Sequence, residues 1–115
     1  MAEGCIFCRI AKKEIETQVV YEDEHIIAFK DMKPRAPVHI LFIPKKHITT
    51  MNDIGEEDVS LLGRMFLKIK ETAGTHGISE SGYRVVINCN KNAGQEVFHL
   101  HAHLLGGRLF SWPPG

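Results

Sequence analysis

Phe98-His99-Leu100-His101-Ala102-His103-Leu104 alternates apolar side chains with imidazoles without a break. Successive side chains of a β-strand point to opposite faces, so this alternation predicts a strand over residues 97–105. His99, His101 and His103 would then share one face at roughly 6.5–7 Å intervals. Phe98, Leu100, Ala102 and Leu104 would occupy the other face and pack on a core. On a helix the same imidazoles would spread around the axis. Each imidazole brings two ring nitrogens that need partners, so three in a row are costly in a sheet unless they serve something. A merely solvated face more usually carries Lys, Glu or Thr.

Two chemistries suit the row. His-x-His on a strand can offer two nitrogens to zinc. Alternatively, a neutral imidazole can act as a nucleophile, with its neighbours fixing the tautomer and binding an anion. The surroundings favour the second. Asn88 ends the preceding candidate strand, and Gly94-Gln95-Glu96 lies just before the histidines. A glycine-containing loop brings backbone N–H groups close to a phosphate. No Asp follows Asp58, and Glu96 is the one carboxylate near in sequence, so a His/carboxylate metal set is poorly supplied.

Upstream, residues 19–21 and 26–29 read as strands joined by the polar turn Glu22-Asp23-Glu24-His25. Residues 38–43 form a third strand closed by Pro44-Lys45-Lys46, and the β-branched run over 83–89 a fourth. Over 56–76, Val59, Leu62, Phe66, Ile69 and Ala73 recur at helical spacing and predict one long helix with an apolar stripe. Glu56, Glu57 and Asp58 suit its positive end, and His76-Gly77 its stop. A shorter helix is predicted over 7–13. Strands with short connections plus one long helix make an α+β protein with a five-stranded antiparallel sheet.

The 115 residues suit a single domain over 1–115, and 43% hydrophobic with 24% charged residues is ordinary for a folded chain. Fourteen basic residues balance fourteen acidic ones, which removes the electrostatic case for nucleic acid or an anionic membrane as partner. No apolar run approaches the ~20 residues of a membrane span, and Met1-Ala2-Glu3-Gly4-Cys5 does not open a signal peptide. Three cysteines fit a reducing, cytoplasmic setting better than a disulfide scaffold. Cys5-Ile6-Phe7-Cys8 has a spacing that lets two thiolates share a metal. It supplies only half of a ligand set and reads equally as a redox pair or as two buried thiols.

Several separated segments resemble the histidine triad (HIT) superfamily, in the right order and over almost the whole chain. The stretch from Gly94 to Leu105 resembles its His-x-His-x-His signature, and Pro37-Val38-His39-Ile40-Leu41-Phe42-Ile43-Pro44-Lys45-Lys46-His47-Ile48 its strand with an internal histidine. Ala28-Phe29-Lys30-Asp31-Met32 is similar to its ribose-binding segment; Leu104-Leu105-Gly106-Gly107-Arg108 and Trp112-Pro113-Pro114-Gly115 are similar to its C-terminal end. The nearest branch is that of the nucleotide-binding members, which hydrolyse nucleoside phosphoramidates.

The resemblance implies a HIT-like fold with one long and one short helix, paired as a homodimer into a ten-stranded sheet. It implies that His101 attacks the α-phosphorus of a purine nucleoside 5′-phosphoramidate, that His39 helps hold His101 in its tautomer, and that His103 contacts the phosphoryl oxygens. His99 would support His101 through its backbone carbonyl, and Asn88 with the backbone of Gly94 and Gln95 would complete a phosphate cradle. No cofactor would be required for the chemistry. Ile6, Phe7, Ile10, Phe29, Met32 and Leu41 would enclose the base, and Asp31 would hold the ribose. Many members carry serine at the position of Glu96, whose role stays open. A dinucleoside polyphosphate hydrolase would need more cationic groups than Asn90-Lys91-Asn92 offers, and a nucleotide-binding scaffold would not need the full histidine set. Some bacterial-type members bind structural zinc through a cysteine pair and two histidines; the matching positions are Cys5, Cys8, His47 and His99. The tail Trp112-Pro113-Pro114-Gly115 would reach the partner's site.

Overall fold

The computed structural model describes residues 4–115, so the first three residues of the expected 1–115 domain lie outside the described part. The chain runs α1 (Ile6–Ala11), β1 (Val19–Glu22), β2 (Ile26–Lys30), β3 (Val38–Pro44), α2 (Val59–Thr75), β4 (Tyr83–Val86) and β5 (Ala102–Gly106). All strand pairs are antiparallel, in the order β1-β2-β3-β5-β4. This is the α+β architecture expected from the sequence, with one long and one short helix.

Period-two patterning divides the sheet into two apolar layers. Ile26, Ala28, Ile40, Phe42, Ala102 and Leu104 face α2 and meet Met65, Ile69 and Ala73 there. Ile27, Phe29, Leu41 and Ile43 face the other way and are covered by Phe7 and Ile10 of α1. Every residue from Ile26 to Phe29 is buried, because this interior strand is covered on both faces.

Four expectations are corrected. β5 starts at Ala102 rather than at 97, and the β3–β5 register explains why. Phe42 pairs with Ala102, so Leu100 would oppose Pro44, which has no N–H to give. Leu100 instead donates its N–H to the Ile48 carbonyl, and residues 97–101 leave the ladder. β4 stops at Val86 rather than at 89, and α1 covers Ile6–Ala11 rather than 7–13. The long helix begins at Val59 after a 3-10 turn at Glu56–Asp58, and its buried face is Met65, Ile69, Thr72 and Ala73. Val59 and Phe66, expected in the stripe, are instead 66% and 48% exposed. Their helix face turns away from the sheet.

α2 ends as expected at His76. Gly77 adopts φ +73°, and Ile78 N–H bonds back to the Ala73 carbonyl. Asp58, almost wholly buried, accepts from the Gly55 N–H at 2.9 Å and from Lys46 Nζ at 2.5 Å. These two donors hold its carboxyl below its ordinary pKa, the backbone N–H most of all.

Candidate active site and metal cluster

Residues 97–101 leave the β3–β5 ladder, and the three imidazoles take different hydrogen-bond partners. Only His103 sits on β5, yet the imidazoles keep to one side of the sheet as expected: Phe7 of α1 meets both His99, at 6.1 Å between centroids, and His101, and His101 meets His103, while Ala102 and Leu104 pack toward α2. His99 is fully buried; its Nε2–H donates to the Pro44 carbonyl at 2.8 Å, the acceptor left over where the ladder ends. His101 is buried beneath Phe7, whose ring meets it edge-on at 5.1 Å between centroids. The His101 Nδ1–H donates to the His99 carbonyl at 2.7 Å. That bond assigns the tautomer: the proton is on Nδ1, and Nε2 carries a free lone pair.

His39 meets His103 rather than His101, a correction that follows from register. Leu41 pairs with His103 and His39 with Leu105, so His39 lies diagonal to His103 on the same face. The contacts form a directional chain. The Arg35 backbone N–H donates to His39 Nδ1 at 3.0 Å, which leaves the His39 proton on Nε2. That nitrogen lies 2.9 Å from His103 Nδ1 and 3.3 Å from Asp31 Oδ2. His103, accepting at Nδ1, therefore keeps its own proton on Nε2, as a donor. One imidazole ends with a lone pair and its neighbour, 5.1 Å away between centroids, with an N–H.

Burial, first among the causes, pushes His39 and His101 below the ordinary imidazole value and His103 down to about 4. All three are neutral at pH 7. A neutral lone pair beside a neutral donor suits attack on an electrophile whose oxygens gather charge.

His39 and His103 open onto a cavity of about 740 Å³, which Asp31, Asn88, Gly94 and Glu96 also line. Gly94, in the left-handed region at φ +80°, closes the turn Lys91–Ala93. The Gln95 side chain is buried and braces this loop, accepting from the Asn90 N–H and donating to the Thr49 and Val97 carbonyls. Lys33, Arg35, Arg84 and Arg108 line the same cavity. Among the described residues none of the four forms an ion pair. Scattered along the sequence, they carry no motif. Asp31, expected at the ribose end of the same site, is a carboxylate that folding brings to the histidines from a distant position in the sequence. Ser111, Pro114 and Gly115 line this cavity, and the Arg84 guanidinium stacks on Phe110 and Trp112.

A groove of about 730 Å³ also borders Asp31, between Glu16, Thr17, Gln18, Lys30 and Met32. Of the apolar residues expected around a base, Phe7, Ile10, Phe29 and Leu41 are buried against one another in the α1-side layer. Ile6 and Met32 keep exposed surface, Met32 at 90%. Asp31 Oδ1 is occupied by the Lys33 N–H at 2.8 Å.

The remaining candidate residues form a second cluster beneath His101. Cys5, Cys8, His47 and His99 point one donor atom each at a common centre, all within 4.8 Å of one another. Cys5 Sγ and Cys8 Sγ both lie 3.4 Å from His99 Nδ1; His47 Nδ1 lies 3.2 Å from Cys8 Sγ and 3.2 Å from His99 Nδ1. Tetrahedral zinc, with bonds of about 2.3 Å to sulfur and about 2.0–2.1 Å to nitrogen, needs ligand separations of about 3.3–3.6 Å between unlike donors or two nitrogens. The donor set fits. Because His99 Nε2–H is committed to Pro44, its Nδ1 is a lone pair aimed at that centre, the usual outer hydrogen bond of a ligating histidine. All three cysteines are free thiols. Burial, with the neighbouring Cys5 thiol, pushes the Cys8 thiol up to about 11.

Fold and histidine arrangement together define a class of small α+β proteins that gather a histidine cluster at the start of one strand of a five-stranded antiparallel sheet. The chain belongs to the histidine triad (HIT) family. Residues 4–110 match the family described as "Scavenger mRNA decapping enzyme C-term binding". The chain is 48% identical over 108 residues to the purine nucleoside phosphoramidase of Escherichia coli K12, covering 94% of this chain and 91% of that one. Its fold superposes on a HIT family hydrolase from Legionella pneumophila with a TM-score of 0.95 at 53% identity, over 96% of this chain and 99% of the other. A Zn-bound histidine triad family protein from Mycobacterium smegmatis is similar at TM-score 0.79 and 30% identity, over 94% and 78% of the two chains.

Proposed function

We propose that the chain hydrolyses purine nucleoside 5′-phosphoramidates, of the adenosine 5′-monophosphoramidate type, through a nucleotidyl-histidine on His101. The observation that carries this reading is the His101 tautomer, with Nδ1–H on the His99 carbonyl and the Nε2 lone pair free. The Nε2 lone pair forms a bond to the α-phosphorus while the phosphorus–amine bond breaks, and the departing amine takes a proton from solvent. The imidazolium so formed keeps its Nδ1–H on the His99 carbonyl. His103 donates from Nε2 to a phosphoryl oxygen, where charge builds in the transition state. Water then attacks phosphorus, the P–N bond to His101 breaks, and the nucleoside monophosphate leaves as the water proton passes to solvent. Asp31 takes the ribose hydroxyls, Ile6 and Met32 flank the base over the buried floor, and Asn88 with the Gly94–Gln95 backbone cradles the phosphate. The activity named for the Escherichia coli relative supports the substrate class. The test is release of AMP from adenosine 5′-phosphoramidate, with trapping of phosphorus-labelled protein by acid quench.

A dinucleoside polyphosphate hydrolase is the second reading, favoured by the four cations that line the cavity. Faster turnover of a diadenosine polyphosphate than of the phosphoramidate would select it.

The donor geometry further supports a structural zinc ion on Cys5, Cys8, His47 and His99, outside the chemical steps. When bound it would supply a clamp on three chain segments, releasing thiol protons as it enters. The free thiols suit a reducing, cytoplasmic setting. A homodimer is supported by the exposed apolar face Val59, Phe66 and Leu67 on α2 and by the open edge of β4.

A further inference from the structure

We propose that Cys5, Cys8 and His47 are positioning residues for the nucleotide, because the metal they hold with His99 fixes both the α1 wall of the nucleoside site and the carbonyl that orients His101. Metal loading and nucleotide binding then strengthen each other. The proposal rests on the zinc reading above and adds the coupling to it.

The first route runs through α1. This helix has six residues, far too few to persist without tertiary support. Cys5 is its N-cap, accepting from the Cys8 N–H at 3.3 Å, so both thiols belong to its first turn. Ile6 and Phe7 lie between them. Phe7 is buried and edge-packed on Phe29 at 5.5 Å and on His101 at 5.1 Å. A metal gripping Cys5 and Cys8 therefore holds the segment that floors the base and confines the nucleophile's ring.

The second route runs through His99. Its Nδ1 faces the cluster, its Nε2–H is held by Pro44, and its carbonyl accepts the His101 Nδ1–H. Without metal, the ring is tied to the thiols only by S–H···N contacts of 3.4 Å, which are weak. With metal, the ring is fixed at both nitrogens, and with it the peptide whose carbonyl sets the tautomer. A bound nucleotide needs the same arrangement, so whichever ligand arrives first meets the ordering cost and the second binds more tightly. Linkage makes the factor identical in both directions.

The experiment uses the full chain, stripped by chelator and reloaded with zinc alone, with AMP as nucleotide probe. Calorimetry gives the AMP Kd with and without zinc; competition with a chelating dye gives the zinc affinity with and without saturating AMP. The expected result is about five- to tenfold tighter AMP binding in the zinc form, and the same factor for zinc when AMP is present. Cys8→Ala should hold AMP at the metal-free affinity whether or not zinc is added, and His47→Ala, altered outside α1, should do the same if Cys8→Ala does not fold. His47→Cys keeps four ligands and should restore the zinc-dependent gain. Zinc binding with no change in AMP affinity overturns the coupling and leaves the zinc reading standing. No zinc binding overturns both. A zinc effect that survives in His47→Ala runs through another site and also overturns the coupling.

Discussion

His101 depends on one main-chain acceptor, the His99 carbonyl, and asparagine can satisfy that acceptor through its own side-chain N–H while offering no nucleophile. His101→Asn is therefore expected to lose turnover of adenosine 5′-phosphoramidate by a factor on the order of 10⁴ or more while AMP still binds. Turnover near the wild-type rate would remove the covalent step from the scheme. The same burial that hides His101 sets the pH dependence. Protonation of a buried imidazole is disfavoured, so the reactive neutral forms of His39, His101 and His103 persist below the ordinary imidazole value. The acid limb of kcat/KM, which reports the free enzyme, should lie below pH ~6.5. A limb at or above that value, measured between pH 4 and 8, would contradict the assignment. At this scale the histidines and the cysteine pair were legible in the sequence, because their chemistry is written in residue type and spacing. The family resemblance also carried the His99 carbonyl to His101 and the two histidines to the thiols, which the structure brings together, but not the partner of His39. That His39 meets His103, and that Asp31 stands beside both, follows from strand register, and a one-residue slip would have turned each side chain to the opposite face.

Period-two and helical patterning placed all five strands and both helices, and misjudged where they end. β5 was over-extended because alternation continues through His99 and His101 while hydrogen bonding stops opposite Pro44. The pattern lies in the side chains; the ladder is made by the backbone. The α2 face was misjudged for a related reason: two apolar stripes share that helix, and only packing against the sheet decides which is inside. Met65→Ala should cost about 2–5 kcal/mol in denaturant unfolding, whereas Phe66→Ala should leave the isolated chain within about 1 kcal/mol. Equal losses would mean that the buried face is wrongly assigned. β5 also ends in a tight contact. A Cβ on Gly106 would stand 2.5 Å from Ile78 Cδ1, and Ile78 is buried. Gly106→Ala should therefore destabilise by about 1–3 kcal/mol through overpacking, read as a lower urea midpoint at unchanged slope.

For the whole molecule, burial of neutral histidines carries an acid cost. Burial pushes His99 and His103 down to about 4, whereas an unfolded imidazole titrates near ~6.5. Between those values the unfolded chain binds more protons than the folded one, so stability falls as pH falls through the window. The lowered Asp58 carboxyl acts only further down, its stabilisation being lost as pH falls through its own depressed value. Urea midpoints of chelator-treated protein at pH 7.5, 6 and 5 should decline in that order; a flat profile would show that these histidines are not buried neutral. Oligomeric state is tested through the outer face of α2. Sedimentation should give about twice the 13.0 kDa chain mass, and Phe66→Asp should return it to the single-chain mass without loss of fold. A wild-type chain sedimenting at 13.0 kDa would refute the dimer.

The sequence by itself determined the α+β class, the identity of the elements, the family resemblance and the residue types that carry the chemistry. Each is encoded locally, in periodicity or spacing over a few residues. Tertiary structure alone decided that His39 meets His103, which stripe of α2 is buried, and that Lys33, Arg35, Arg84 and Arg108 converge on one cavity from distant positions. Those outcomes depend on register and on Pro44, whose missing N–H ends the β3–β5 ladder and whose carbonyl then takes the proton of His99. One backbone group without a partner on its own strand thus separates the metal cluster from the candidate nucleophile, and no local pattern records which strand will lie opposite it.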